Sequence, residues 1–219
     1  TLEHIFPRIQ IAIADLDDKA LKAYEQSYSC SVDYQSLLPK VDACWIATPP
    51  KTHYGLASNV LLSGKSCLVE KPLTLESSHA AELVDIAQTQ KLTLLVDDTW
   101  MYHSEVAKRR IKKENGSLAS LYIWGNLRKE ITEEGILWTQ GPHPVSLMLN
   151  SYQQVPSKVT GCLSEREAWL EYHFPGEGRI AEVLLLWKPM PKTRSYWWYA
   201  GETGGCFFDA ATMLPNPEP

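Results

Sequence analysis

Two short polar segments could carry chemistry, because each follows an apolar run of the kind that forms a buried strand. Residues 48–53 (TPPKTH) follow the run 41–47, and residues 70–72 (EKP) follow the run 66–69. Open α/β sheets bind ligands at the carboxyl ends of their strands, so both segments are expected at a ligand-binding edge. A lysine there can polarise a hydroxyl or carbonyl group and, if desolvated, exchange a proton near neutral pH. Lys71 is therefore a candidate catalytic residue, with a surface lysine in a turn as the alternative.

The elements that must position these segments alternate in type through the first half of the chain. Strands covered on both faces are predicted for the mostly apolar runs 9–14 and 41–47, and further strands for 66–69 and 92–96. Helical spacing predicts helices over 19–27 and 54–63, and a third helix that Thr74 could cap and that buries Ala80, Leu83, Val84 and Ala87. Repeated strand–helix–strand units imply crossover connections and a parallel sheet.

The second half has a different pattern. Residues 168–174 (AWLEYHF) alternate between apolar and polar side chains, and residues 175–178 (PGEG) predict a turn. Further strands are predicted over 119–127, 158–164, 179–187 and 195–200. Alternation and tight turns indicate an antiparallel sheet with one wetter face. We therefore expect two domains, residues 1–102 and residues 103–219.

Composition excludes several classes of protein. The chain has 219 residues, of which 44% are hydrophobic and 21% charged, as in ordinary globular proteins. Its net charge of −5 and pI near 5.7 disfavour binding to nucleic acid or to an anionic membrane through bulk charge. No run is long enough to span a bilayer, and no signal peptide pattern is visible. Five scattered cysteines without a CxxC spacing favour reduced thiols in the cytoplasm, and no metal site is expected.

Four sequence segments occur in the order in which they are found in a known protein family. They are TPP-x-x-H from residue 48, EKP from residue 70, LLVDD at residues 94–98 and GILWTQGPH at residues 135–143. With them the chain resembles the glucose–fructose oxidoreductase / inositol dehydrogenase (Gfo/Idh/MocA) family over nearly its whole length. The resemblance implies a Rossmann-like, doubly wound parallel sheet and then an α+β domain with an open, mostly antiparallel sheet. It also implies an NAD(P)-dependent oxidoreductase acting on a hydroxyl or carbonyl group of a sugar, cyclitol or related small molecule, and a homo-oligomer (dimer or tetramer).

The resemblance also implies roles for single residues. Lys71, beside the reacting oxygen, and His143 are the expected catalytic residues, and both bind substrate together with Thr139. The expected cofactor-binding residues are Asp15, Thr48, Pro49, His53, Glu70, Lys71 and Pro72. Asp15 would hold the adenosine ribose hydroxyls, although it could instead be a turn or helix-capping carboxylate. His143 could likewise be a structural histidine at the start of a helix.

The charge around Asp15 bears on the choice of cofactor. Asp17 and Asp18 add two further carboxylates close to it in sequence. A 2′-phosphate would meet like charge there. NAD is therefore expected as the cofactor, and NADP is less favoured.

Two departures from the family pattern bear on activity. No GxGxxG occurs, and residues 1–6 look like the helix that would follow a glycine-rich loop. We therefore expect that the first strand and its phosphate-binding turn lie outside this chain or come from a neighbouring chain; without them cofactor affinity would be very weak. Thr139 stands where the family has an aspartate, and a hydroxyl cannot orient a histidine by charge, so His143 would act with Lys71 alone. The alternative function is a non-catalytic nucleotide- or sugar-binding relative, such as a sensor or accessory subunit.

Overall fold

The computed structural model describes residues 5–102, 118–125, 134–175, 179–186, 193–200, 203–209 and 214–215. The chain divides into two compact units, Thr1–Asp97 and Asp98–Pro219. The domain boundary expected after residue 102 stays a prediction, because compact units are defined by contacts whereas domains are defined by independent folding.

The first unit contains parallel strands connected through helices. Strand β1 (Ala12–Ala14) pairs with β2 (Ser29–Ser31), and β3 (Ala43–Ile46), β4 (Ser66–Glu70) and β5 (Leu94–Asp97) form a second sheet in that order. The helices are α1 (Asp18–Leu21), α2 (Pro50–Leu62) and α3 (Ser77–Gln90), with 3₁₀ turns at Tyr34–Ser36 and Leu38–Lys40. This arrangement confirms the predicted parallel α/β architecture.

Helices α2 and α3 pack against the sheet formed by β3, β4 and β5. Their spacing places apolar residues on one side of each helix, and β4 alternates so that Cys67 and Val69 point into the core. The main buried residues of this core are Ile46, Ala57, Val60, Leu61, Cys67, Val69, Leu83 and Ala87. Gly64, at φ +75°, follows α2 and ends it, since glycine adopts this left-handed conformation without steric cost.

Several predicted boundaries and one predicted core position are wrong. The strand expected over residues 9–14 is only β1, and it is partly exposed because β2 is its one described neighbour. The helix expected over 19–27 is the single turn α1, which Asp17 caps by accepting from the Lys19 N–H. Thr74 does not cap α3; its hydroxyl donates to the carbonyl of Glu76, the residue directly before the helix. Val84, expected in the core, is 42% exposed.

The second unit is built on a seven-stranded sheet with the strand order β12-β11-β10-β6-β9-β8-β7. The strands are β6 (Leu118–Gly125), β7 (Lys158–Leu163), β8 (Glu167–His173), β9 (Arg179–Leu186), β10 (Thr193–Ala200), β11 (Thr203–Asp209) and β12 (Leu214–Pro215). The helices are α4 (Gly135–Gln140) and α5 (Pro142–Tyr152), and a 3₁₀ helix spans Thr99–Tyr102. The pair β6–β9 is parallel and the other pairs are antiparallel, which confirms the mostly antiparallel sheet.

The core of this unit lies between the two helices and one face of the sheet. Ala168, Tyr172 and Phe174 are buried there, as the alternation of residues 168–174 predicts. Tyr152 of α5 stacks on Phe174 with ring centroids 4.0 Å apart and donates its hydroxyl to the Ile180 carbonyl at 2.6 Å. The opposite face of β8 carries Trp169, Glu171 and His173.

Some expectations concern residues outside the description. The turn predicted at 175–178 falls mostly on residues 176–178, which lie outside the described residues. In the part of the chain that the structure describes, no helix combines the length and the apolar character needed to cross a membrane.

Candidate active site

The carboxyl edge of the β3–β4–β5 sheet brings the two polar segments together. Register pairs Ile46 with Val69, and Glu70 with Asp97, so neighbouring strands end side by side. Residues 48–53 leave this edge after β3, and residues 71–72 leave it after β4. The structure therefore confirms the expectation that the TPPKTH and EKP segments share one edge.

His53 connects these two segments. Its Nδ1 lies 2.7 Å from the Pro72 carbonyl oxygen, its Nε2 lies 2.7 Å from the Thr48 carbonyl oxygen, and its side chain is completely buried. Both contacted atoms are acceptors; a neutral imidazole donates to one of them and an imidazolium donates to both. Because both ring nitrogens meet main-chain carbonyls, His53 holds the two loops together.

Lys71 is positioned by the residues on either side of it. Its backbone N–H donates to the Glu70 carboxylate at 3.2 Å, and the peptide bond to Pro72 is cis. Pro72 is buried, and its carbonyl is the one that meets His53. Lys71 itself is half-buried at the end of β4, where a lysine is only partly surrounded by water.

The first turn of α2 carries the other predicted cofactor-binding residues. Pro49 precedes the helix, and Pro50 occupies its first position, where no N–H donor is needed. The Thr48 and Thr52 hydroxyls are 2.7 Å apart, and the Thr52 hydroxyl donates to the Pro49 carbonyl at 2.8 Å. These contacts fix the loop between β3 and α2 and leave Thr48 at the exposed edge of the sheet.

Asp15 lies at the end of the other sheet, directly after β1. Its carboxylate is exposed and accepts from the Asp17 N–H at 2.8 Å, and its own N–H donates to the Ser31 carbonyl. The turn interpretation of Asp15 therefore has a structural basis, and the exposed carboxylate still has capacity for ligand hydroxyls. Convergence of the Asp15 loop with the loops of Thr48 and Lys71 on one cleft stays a prediction.

The second unit contains a carboxylate–imidazole pair. Asp98 Oδ1 lies 3.3 Å from His143 Nδ1, and their side chains are 12% and 14% exposed, respectively. His143 lies in the first turn of α5, and Asp98 directly precedes the 3₁₀ helix Thr99–Tyr102. Contrary to the expectation drawn from Thr139, His143 has a carboxylate partner.

Thr139 and the following turn are explained by local geometry. The Thr139 hydroxyl donates to the Gly135 carbonyl at 2.8 Å, one turn earlier in α4. A Cβ at Gly141, between α4 and α5, would clash with the Leu137 carbonyl oxygen. Only glycine fits this approach, which brings His143 into the first turn of α5.

Asp98 is the functional candidate that sequence reasoning missed. The segment 94–98 was part of the family resemblance, but no role was attached to its acidic residues. A carboxylate directly after a predicted strand was the available signal. Its partner lies 45 residues later, and no sequence spacing indicates such a distant pairing.

Two of the described thiols, those of Cys44 and Cys67, are not suited to nucleophilic chemistry. Burial, with a smaller contribution from Cys44, raises the pKa of the Cys67 thiol to about 11. Burial also raises the pKa of Cys44, against an opposing effect of Lys65. Such thiols stay protonated near neutral pH and are poor nucleophiles. Within the described ranges no group of three or more His, Cys, Asp or Glu side chains is arranged to hold a metal ion.

Residues 8–98 match the sequence model of an oxidoreductase family, Gfo/Idh/MocA, which has an NAD-binding Rossmann fold. The UDP-N-acetylglucosamine 3-dehydrogenase of Acidithiobacillus ferrooxidans is 38% identical over 76 residues, which are 35% of this chain and 24% of that protein. The dTDP-3,4-didehydro-2,6-dideoxy-alpha-D-glucose 3-reductase of Saccharopolyspora spinosa is 29% identical over 115 residues, which are 51% of this chain and 35% of that protein. The chain thus spans about a quarter to a third of these curated relatives.

Solved structures resemble the chain over most of its length. The UDP-N-acetylglucosamine 3-dehydrogenase GnnA from Acidithiobacillus ferrooxidans superposes with a TM-score of 0.78 at 20% identity, over 92% of this chain and 69% of that one. GenD2 from gentamicin A biosynthesis, solved in complex with NAD, gives a TM-score of 0.77 at 24% identity, over 93% and 66% of the two chains. At these identities the likeness shows a shared fold.

Proposed function

Because residues 8–98 place the chain in the Gfo/Idh/MocA family of NAD-binding oxidoreductases, we propose that it transfers a hydride between NAD and a carbon-bound hydroxyl or carbonyl group. The family expected from the sequence is confirmed by this match. One observation carries the proposal. At the carboxyl edge of the β3–β4–β5 sheet, His53 joins the TPPKTH segment to the EKP segment and so fixes the position of the Lys71 backbone.

The proposed substrates are sugars, cyclitols and related small molecules. The two curated relatives described above are named for oxidation or reduction at position 3 of a sugar linked to UDP or dTDP. A further relative, from Rhizobium meliloti, is named inositol 2-dehydrogenase and is 29% identical over 89 residues. Nucleotide-linked sugars are therefore the first substrates to test, and cyclitols are the second.

The acidic residues after β1 fit the adenosine ribose of NAD. The exposed Asp15 carboxylate can accept from ribose hydroxyls, and the exposed Asp17 and Asp18 beside it disfavour a 2′-phosphate, which supports NAD over NADP. Thr48 and Pro49 at the β3 edge would line the cofactor cleft. The 219 residues contain no GxGxxG, so no residue is assigned to the pyrophosphate.

The chemistry divides between the cofactor and the protein. When bound, NAD would supply the hydride chemistry, with its nicotinamide ring as acceptor from an alcohol carbon or donor to a carbonyl carbon. Lys71 binds the reacting oxygen: its ammonium donates a hydrogen bond to the carbonyl or hydroxyl oxygen. Glu70 and Pro72 hold Lys71 in place from either side. His143 and Thr139 bind substrate, and His143 exchanges the proton.

The assembly and location are proposals of the same kind. We propose a homodimer or tetramer formed through the second unit, supported by Trp169, which is 37% exposed on the sheet face opposite α5. We also propose that the protein works in the cytoplasm, supported by free thiols at Cys30, Cys44, Cys67 and Cys162. Light scattering that gives the mass of one chain would contradict the first proposal, and recovery of the native protein from a non-cytoplasmic fraction would contradict the second.

An activity survey tests the proposed function. The protein is incubated with NAD and, separately, with UDP-N-acetylglucosamine, dTDP-glucose or myo-inositol, and absorbance of the reduced nicotinamide is followed. NAD-dependent oxidation of at least one of these alcohols is expected, with NADP less effective. A folded protein that neither oxidises any of them nor binds NAD in calorimetry would contradict the proposal.

A further inference from the structure

We propose that Asp98 positions His143 for proton exchange and so supplies the carboxylate that Thr139 cannot. The inference rests on the proposed function, because it assigns His143 a proton to move. It gives a role to a residue of the LLVDD segment to which the family resemblance attached none. Asp98 acts through His143, so its role is positioning rather than contact with substrate.

The geometry defines the state of the imidazole. An ionised carboxylate only accepts hydrogen bonds, so the contact between Asp98 Oδ1 and His143 Nδ1 requires the proton on Nδ1. In the neutral ring, Nε2 then carries the lone pair and can take a proton from a substrate hydroxyl. Both side chains are less than 15% exposed, which limits competition from water for the contact. The pair thus selects one tautomer and one ring orientation.

Backbone structure on both sides holds the pair in place. The Asp98 carbonyl accepts from the Met101 N–H at 2.9 Å and so opens the 3₁₀ helix Thr99–Tyr102, which packs against α5. His143 lies in the first turn of α5, and the close approach at Gly141 fixes where that helix starts. The carboxylate therefore reaches His143 from a different element.

Thr139 cannot supply the charge of a carboxylate. Its hydroxyl hydrogen is directed to the Gly135 carbonyl, and a hydroxyl has no negative charge with which to stabilise an imidazolium. The charge that a base of this kind needs comes instead from Asp98. A carboxylate placed at position 139, where the family has an aspartate, is therefore expected to restore proton exchange by His143 after the Asp98 carboxylate is removed.

Kinetics of three variants provide the first test. Asp98→Asn is expected to lower kcat by roughly 10- to 100-fold with KM within about threefold, because substrate binding is kept while proton exchange is impaired. Asp98→Asn combined with Thr139→Asp is expected to recover a large part of kcat. Asp85→Asn, which removes an exposed carboxylate from α3, is the matched control and is expected to leave kcat unchanged. An unchanged kcat in Asp98→Asn would overturn the inference.

A spectroscopic test works without turnover. Nitrogen-15 spectra of histidine-labelled protein, recorded at a pH where the ring is neutral, report which ring nitrogen carries the proton. The His143 signals are assigned as those lost in His143→Gln. The wild type is expected to hold the proton on Nδ1, and Asp98→Ala is expected to shift it toward Nε2, with circular dichroism showing that the variant folds. A wild-type ring without a proton on Nδ1, or one whose tautomer ignores Asp98→Ala, would overturn the inference. An inactive wild type with the predicted tautomer would instead contradict the proposed function alone.

Discussion

The two regions that hold candidate catalytic residues fix them by different means. At the β3–β5 edge, Lys71 is held through the main chain: strand register, a buried proline and two carbonyls that meet His53. In the second unit, His143 is held through a side-chain contact with Asp98. Loss of the His53 contacts should therefore affect both the stability of the fold and the position of Lys71. The Asp98–His143 pair, in contrast, can be altered with less effect on the fold.

The largest effect is expected for Lys71→Ala. Removal of the group that binds the reacting oxygen is expected to lower kcat/KM by roughly 10²- to 10⁴-fold, with the thermal melt little changed, because the loop is held by its neighbours. Steady-state kinetics and circular dichroism measure the two quantities. Lys65→Ala is the matched control, since Lys65 precedes the same strand at its opposite end. Equal kinetics in the two variants would remove Lys71 from the mechanism.

The next effect concerns the clamp itself. His53→Ala leaves two carbonyls at a buried site without their imidazole and opens a cavity, so the free energy of unfolding is expected to fall by about 2–4 kcal/mol. Urea denaturation measures it. His79→Ala is the control: His79 is half-buried and stacks on Tyr54 with centroids 3.9 Å apart, and its loss should cost under about 1 kcal/mol. Similar losses in both variants would contradict the role of His53 as a clamp.

A smaller effect is expected for cofactor choice. Asp15→Ser removes the exposed carboxylate that disfavours a 2′-phosphate, and an exposed charge of this kind is worth about 1 kcal/mol. The ratio of kcat/KM for NAD to that for NADP is therefore expected to fall by roughly fivefold. Asp42→Asn, an exposed carboxylate that precedes β3, serves as control and should leave the ratio unchanged. An unaltered ratio in Asp15→Ser would favour the turn interpretation of Asp15.

The last effect is a pH dependence of stability in the first unit, confined to alkaline pH. The Cys67 thiol keeps its proton in the folded state up to a pKa of about 11, whereas the unfolded thiol ionises near its ordinary value of 9.0. The folded state therefore binds more protons between these pH values, and this contribution to stability is present below pH 9 and lost as the pH rises toward 11. In Cys67→Ala the fall in unfolding free energy over this window should be shallower than in wild type.

Cys162→Ala is the control for that measurement, because Cys162 is exposed. Its unfolding free energy should follow the wild-type pH dependence. If Cys67→Ala and Cys162→Ala show the same slope, the buried thiol is not the source of the pH dependence.

Local patterns account for the parts of the fold and site that could be predicted. The runs before Thr48 and Lys71 indicated strands whose ends share an edge, since parallel strands with helical crossovers allow few arrangements. The alternation of residues 168–174 indicated which side chains of β8 are buried. These features depend on neighbours within a few residues.

Features that depend on distant contacts could not be predicted. The burial of Val84 was misjudged, because the width of a helix face in contact with a sheet is set by tertiary packing. The pairing of Asp98 with His143 joins two elements through a contact that leaves no periodic signal. The role of His53 was also incompletely predicted, since its two acceptors become visible only when the loops are folded.

Transfer of an isotopic label tests the central claim most directly. A nucleotide-linked sugar or cyclitol that the protein oxidises is prepared with deuterium on the reacting carbon, and the reduced cofactor is analysed by mass spectrometry. Direct hydride transfer predicts reduced NAD that is one mass unit heavier, at a rate that Lys71→Ala lowers and Lys65→Ala leaves unchanged. Reduced NAD without deuterium, or transfer that is indifferent to Lys71, would contradict the account.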